Sequence, residues 1–279
     1  MVRIIKEHYS PKYLVFAYLI FVQFSFSANI DTIFVYSVSM DTTLSNIIVI
    51  PENYKNDSTS FPVLYLLHGW SGDFDNWNSK TDLSAYSDTY DIIIVCPEGG
   101  YASWYLDSPV NPKSQFKTYV GKEVVEWVDA NYRTINTRDG RAICGLSMGG
   151  HGAFYLSLEY PNTFGAIGSM SGVLDLSTTR LVDGIHELLG TNSRVTLDSF
   201  SVFYRLNWPE KTQPFILIDC GLEDKYIHVN RKVHKRLSEM GIEHSYLEEP
   251  GNHNWEYWTS HLETHIQFFK SSLNWKSID

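Results

Sequence analysis

The chain has 279 residues, a length that suits one large α/β domain better than two small ones. Hydrophobic residues make up 43% and charged residues 19%, a balance that argues against disorder and allows a sizeable core. A formal net charge of −10 repels phosphate backbones and anionic bilayers, so nucleic acid is not an expected partner and the acidity serves solubility.

Residues 1–27 read as an export signal. Arg3, Lys6 and Lys12 precede an apolar run from Tyr13 to Phe26, which ends in small residues at Ser25, Ser27 and Ala28. Cleavage after Ser27 would leave 28–279 as a single secreted or periplasmic domain, more acidic still, with no stable membrane insertion. An uncleaved anchor is the rival, but the run falls short of the ~20 residues that span a bilayer.

Beyond this segment, apolar runs rich in β-branched residues alternate with helical patterns. Strands are expected at Thr32–Val38, Asn46–Ile50, Val63–Leu67, Asp91–Cys96, Arg141–Cys144, Ala166–Met170, Phe215–Asp219 and His244–Leu247. Helices are expected over Ser114–Tyr132, Met148–Tyr160, Tyr226–Met240 and Trp255–Ser271. This alternation predicts an α/β fold with a mostly parallel sheet of about eight strands, covered by helices on both faces. Residues 171–213 hold no clear strand and are too long for a simple connection, so they are expected to form a short helical lid at the sheet's carboxyl edge. Cys96, Cys144 and Cys220 each end an apolar strand run. Their odd number and the lack of a CxxC spacing predict small core residues rather than disulfides or metal ligands.

Gly145-Leu146-Ser147-Met148-Gly149 fits G-x-S-x-G between the strand run RAIC and a helical pattern. That setting is the nucleophile elbow of an α/β-hydrolase, where a tight turn lifts the serine hydroxyl above the sheet. Side chains two residues either side would collide there, which explains glycine at both places. The helix begins with further glycines, each costing ~1 kcal/mol against alanine, a cost that close packing on the strands would justify.

A serine hydroxyl needs a base to take its proton and a carboxylate to orient that base, and in this fold the order is Ser, Asp or Glu, then His. Asp224 leads as the acid because it follows the strand run FILIDC in a loop opened by Gly221; Glu223 and Asp219 remain alternatives, the latter better suited to packing or hydrogen bonding within its strand. His253 leads as the base, lying in the loop PGNHNW between the last strand and the last helix. His261 and His265 form an i, i+4 pair in HLETH, but the zinc helix requires Glu directly after the first His, where Leu262 stands; the pair is expected on the helix surface. His228, His234 and His244 are read as surface or local polar groups. No metal or cofactor is expected.

The loop His68-Gly69-Trp70-Ser71-Gly72 follows a central strand, where glycines let amides face a developing oxyanion. The Trp70 and Met148 amides are the expected donors, with His68 bracing the loop. Trp77, Trp104, Tyr105 and Trp255, on loops expected to converge near the serine, are candidate substrate-binding residues for an apolar or aromatic acyl group.

PVLYLLHGWSGDFDNW, PEGGYASWYLDSP, RAICGLSMGGHGAF, IDCGLED and PGNHNWEYW resemble, in order, the blocks of the esterase D-like esterases, from about Asp31 to Phe269. That group holds S-formylglutathione hydrolases, tributyrin esterases, mycolyl transferases, and the feruloyl and acetylxylan esterases of carbohydrate esterase family 1. The resemblance implies Ser147, Asp224 and His253 as the triad and the Trp70 and Met148 amides as oxyanion donors. It implies a serine carboxylic-ester hydrolase working through an acyl-enzyme on a small-molecule or oligosaccharide ester. Export and abundant aromatics favour feruloyl or acetyl side chains of plant polysaccharides. The alternatives are a broad short-chain carboxylesterase, an acyltransferase to a sugar hydroxyl, and a non-catalytic binding module, the last disfavoured because no triad member is missing.

Overall fold

The computed structural model describes residues 28–55, 58–179, 184–191 and 193–275. The expected signal segment, 1–27, lies outside them.

Eight strands form one sheet: β1 (Asn29–Ser37), β2 (Thr42–Ile50), β3 (Val63–Leu67), β4 (Ile93–Cys96), β5 (Arg141–Leu146), β6 (Ala166–Met170), β7 (Phe215–Gly221) and β8 (Ser245–Glu249). Their spatial order is β1-β2-β4-β3-β5-β6-β7-β8. β1 and β2 pair antiparallel and β2 meets β4 antiparallel, whereas every pair from β4 to β8 is parallel. The difference is local: β1 and β2 are joined by a tight hairpin, while parallel neighbours need a crossover.

The helices are α1 (Asn76–Lys80), α2 (Leu83–Tyr90), α3 (Phe116–Thr118), α4 (Val124–Asn131), α5 (Met148–Glu159), α6 (Ile185–Leu189), α7 (Arg194–Phe200), α8 (Val202–Arg205), α9 (Ile227–Glu239) and α10 (Trp255–Ser272). α3 and α4 are the ends of the one helix expected over Ser114–Tyr132, joined by a π-helical turn at Tyr119–Glu123. α1 and α2 escaped the periodicity because their stretch is short and polar, with Asp82 capping α2 by accepting from the Ala85 N–H at 3.1 Å.

Strand alternation sorts the core into two layers. Tyr65, Leu67, Ile93, Val95, Ile143 and Ile167 face α4, α5 and α9, while Leu64, Leu66, Ile94, Ala142 and Cys144 face α2 and α10. Both faces are covered, so the central strands are buried along their whole length. All three cysteines are free and buried.

The stretch 171–213 holds α6, α7 and α8 between short 3-10 turns. It is tied to the body by the Trp208 indole N–H on the Ser157 hydroxyl (3.2 Å) and by the Ser108 hydroxyl on the Leu188 carbonyl (2.5 Å).

The expectation that His261 and His265 sit on the surface is overturned. α10 packs on the sheet with Tyr257, Trp258, His261, Leu262, His265, Ile266 and Phe269 buried, so the i, i+4 spacing put both histidines on the inner stripe. His261 stacks on Tyr257 with centroids 3.9 Å apart. His265 is sealed off, with Nε2 against Asp219 Oδ2 and Nδ1 3.5 Å from Cys144 Sγ. Asp219 is thus a core residue, as its place in the strand implied.

Candidate active site

Ser147 stands where β5 ends and α5 begins, with φ 53° and ψ −112°, a conformation open to few non-glycine residues. The Ser147 N–H donates to the Met170 carbonyl at 2.9 Å and the Ser147 carbonyl accepts from Val173 at 3.1 Å, so backbone on both sides over-determines the turn. A Cβ on Gly145 would lie 2.5 Å from the Gly149 carbonyl, and one on Gly149 would lie 2.6 Å from the carbonyls of Leu67 and His68. Only glycines let strand, turn and helix approach this closely.

From that turn the hydroxyl reaches the loop after β8. The Ser147 hydroxyl lies 2.9 Å from His253 Nε2, and His253 Nδ1 lies 2.8 Å from Asp224 Oδ2. Asp224 sits just past β7, its Oδ1 accepting from the Tyr226 N–H at 2.7 Å. Burial alone would raise its pKa, but the hydrogen bonds and charge of His253, with the Tyr226 amide, hold the carboxyl below the usual range. The imidazole is wedged edge-on between Tyr226 and Trp258, each with ring centroids 5.0 Å away. Glu223 instead turns outward and accepts from the Gly251 N–H at 2.7 Å.

The loop after β3 closes over the serine, for a Cβ on Gly69 would come within 3.7 Å of Ser147 Cβ. Three buried side chains hold this loop. His68 donates from Nδ1 to the Gly69 carbonyl at 2.8 Å and accepts at Nε2 from the Gly99 N–H at 2.9 Å; burial pulls its pKa down to about 4, so a neutral ring satisfies both bonds. The Trp77 indole donates to the Leu67 carbonyl at 3.0 Å, and the Tyr105 hydroxyl donates to the His68 carbonyl at 2.9 Å.

Trp77 and Tyr105 are therefore corrected as substrate-binding residues. Both are fully buried and neither lines the cavity above Ser147, because their polar ends are spent on backbone carbonyls. Trp104 and Trp255 do line it, together with Trp70. Met148 opens α5, so its amide belongs to the first helical turn, whose N–H groups have no acceptor within the helix.

The cavity measures about 540 Å³ and is walled by Gly69, Trp70, Trp104, Leu146, Val173, Tyr226, Trp255 and Trp258 around Ser147 and His253, with Asn76, Asn254 and Lys225 as polar members. From 171–213, Val173 is the one contributor among the described residues; no residue of α7 or α8 lines the cavity. Tyr226, Trp258 and Lys225 were missed by sequence reasoning, although Lys225 and Tyr226 directly follow Asp224 and Trp258 lies one helical turn beyond the His253 loop. His151 was missed too: buried on α5, it sits 3.1 Å from both the Trp104 and Phe200 carbonyls and so ties the cavity wall to α7. Among the described residues, no group of three or more His, Cys, Asp or Glu side chains is placed to hold a metal ion.

Residues 37–269 match the protein family described as "Putative esterase". An acetyl esterase of Caldicellulosiruptor saccharolyticus is 26% identical over 224 residues, which cover 74% of this chain and 82% of the relative. An esterase of Mycobacterium tuberculosis is 30% identical over 240 residues, 74% of this chain but only 51% of that protein, so the chain spans about half its length. Among solved structures, a ferulic acid esterase superposes with a TM-score of 0.76 at 24% identity, covering 89% of this chain and 99% of that one. A fluorophosphonate-binding serine hydrolase of Staphylococcus aureus gives a TM-score of 0.79 at 22% identity over 87% and 98%. At such identities these two similarities bear on the fold alone, that of the α/β-hydrolases. With a family match running from the end of β1 into α10, the chain belongs to this esterase family.

Proposed function

We propose that Ser147, His253 and Asp224 are the catalytic triad of a carboxylic-ester hydrolase, and that the Trp70 and Met148 amides form its oxyanion hole. The observation that carries this reading is the continuous hydrogen-bond chain from Ser147 Oγ through His253 to buried Asp224, opening into the aromatic cavity. The serine oxygen attacks the ester carbonyl while His253 Nε2 takes its proton; Asp224 holds the tautomer and steadies the imidazolium. The two amides receive the negative oxygen. His253 then protonates the departing alcohol, leaving an acyl-serine that water, deprotonated by the same nitrogen, hydrolyses to acid and free enzyme. Ser147→Ala should lower turnover of 4-nitrophenyl acetate by up to ~10⁶ with the fold intact; a cleanly folded variant that keeps its activity removes Ser147 from this role.

For the substrate, we propose feruloyl or acetyl esters on plant polysaccharides, acted on outside the cytoplasm after removal of residues 1–27. The cavity is rimmed by the half-buried Trp70 and Trp255, flat surfaces on which an aromatic acyl group can lie, with buried Trp104 behind them. A similar fold carries a ferulic acid esterase. A second reading, broad hydrolysis of short acyl esters, is favoured by the similarity to an acetyl esterase. Rates on methyl ferulate, acetylated xylan, and nitrophenyl acetate, butyrate and octanoate separate the two readings. Residues 1–27 are tested by the N-terminal sequence of the protein recovered from the medium or periplasm: a start near Ala28 is the expected result.

A further inference from the structure

Helix α9 and the two residues before it carry a basic run in an acidic chain. Lys225, His228, Arg231, Lys232, Lys235 and Arg236 fall close together, and no Asp or Glu occurs between Asp224 and Glu239. The inner face of α9 is Ile227, Val229, Asn230, Val233 and Leu237, so the charges point outward. Some are already spent locally. Arg231 bonds both Glu248 oxygens at 2.8 and 2.7 Å, and Lys235 lies 3.6 Å from Glu239. Lys225 and Lys232 are exposed and have no carboxylate partner among the described residues.

These two lysines lie along one trough that leads out of the active site. The catalytic cavity reaches Lys225 and Tyr226. The same two residues wall a second groove of about 330 Å³, completed by Thr178, His228, Val229 and Lys232, with no carboxylate in its described lining. Lys232 also lines a third hollow of about 310 Å³, where Lys235 and Arg236 stand beside Asp175 and Glu239 and Arg194 is paired with Asp198 at 2.7 Å.

The chemistry gives the trough a direction. The departing alcohol takes its proton from His253, so its oxygen must lie against that ring. Tyr226 packs on the same ring, its centroid 5.0 Å away, and Lys225 holds its ammonium 4.9 Å from the Tyr226 centroid. An alcohol portion that runs over Tyr226 would meet Lys225 and then Lys232. We propose that this trough is a subsite for an anionic group, carboxylate or phosphate, on the alcohol half of the ester, as on an acidic sugar. The inference rests on the ester-hydrolysis reading for its direction but not for its test.

Binding is measured on the Ser147→Ala protein, which needs no turnover, by NMR titration with methyl glucoside, methyl glucuronoside and methyl glucoside 6-phosphate. Two exposed charge contacts predict about tenfold tighter binding of an anionic glycoside than the neutral one at low salt. The preference should shrink at about 0.5 M salt, where the Debye length is only a few ångströms, and vanish in Lys225→Gln/Lys232→Gln. The tighter of the two anionic probes identifies the group. Lys232→Gln alone, far from the triad, serves if the double variant folds poorly. Equal binding of all three probes, or a preference that survives loss of the lysines, overturns the subsite. Hydrolysis of 4-nitrophenyl acetate by the wild-type protein judges the esterase reading separately.

Discussion

Replacing Asp219 by asparagine removes one charge from a pair sealed beneath the sheet. Asp219 is 1% exposed and His265 0%, and they meet through Oδ2 and Nε2. Burial by itself would hold the His265 pKa down; Cys144 and Asp219 against its two ring nitrogens push it up to about 10. Measured from an ordinary value of ~6.5, and at ~1.4 kcal/mol per unit, that rise sets a ceiling of roughly 5 kcal/mol below pH ~6.5 and roughly 4 kcal/mol at pH ~7 on what Asp219 and Cys144 together contribute through His265. Breaking a buried pair by removing one partner costs ~3–5 kcal/mol, the same range. In a chain of this size 1 kcal/mol moves the melting point by ~2–4 °C, so Asp219→Asn should melt roughly 6–20 °C lower. Turnover per folded molecule should stay close to wild type, because neither residue lines the cavity. Asp224→Asn should behave in the opposite way. An amide donates where the carboxylate accepts, leaving His253 in the wrong tautomer and cutting kcat by roughly 10⁴. Its melting point should move less, since His253 is partly open to solvent rather than sealed in the core. Calorimetry and nitrophenyl-ester kinetics on both variants decide the matter. If Asp219→Asn is the inactive protein with an unchanged melting point, both the triad and the core pair have been misassigned.

The same pair predicts a pH dependence. A histidine whose pKa is raised by folding stabilises fully below its unfolded value of ~6.5, loses that contribution progressively above it, and has lost it once pH passes the folded value of about 10. The melting point should therefore fall between those limits, less steeply in Asp219→Asn; a flat profile contradicts the charged pair. Gly149→Ala places a Cβ 2.6 Å from two backbone carbonyls of the β3 loop and should cost roughly 10²-fold or more in kcat/KM by shifting serine and oxyanion loop apart, whereas wild-type kinetics would mean the elbow has slack. Activity should survive EDTA; loss on chelation with rescue by zinc or calcium would point to a metal role that the residues here do not explain.

Much of the site was legible in the sequence because its constraints are local. Gly145, Ser147 and Gly149 announce the elbow through steric need, and Asp224 and His253 follow from chain order and from lying just beyond strand ends. The parallel strands could be read from continuous aliphatic runs, since a strand covered on both faces shows no alternation. Where the reading failed, the signal was not local. HLETH looked like a solvent-facing pair until α10 docked and turned that stripe inward, where Asp219, 46 residues away in sequence, receives His265. Trp77 and Tyr105 were indistinguishable from Trp104 and Trp255 as aromatic residues on loops. Only the tertiary structure decided between them, because it alone determines which indole or phenol finds a backbone carbonyl to bond and which is left facing the cavity. That Lys225 and Lys232 share one groove was likewise decided by the packing of α9 and of the loop before it, in a segment whose sequence shows only that it is basic. What the sequence determined by itself was the chemistry its residue types permit at short range; which of them share one site is a property of distances between strands, and those exist only once the sheet is assembled.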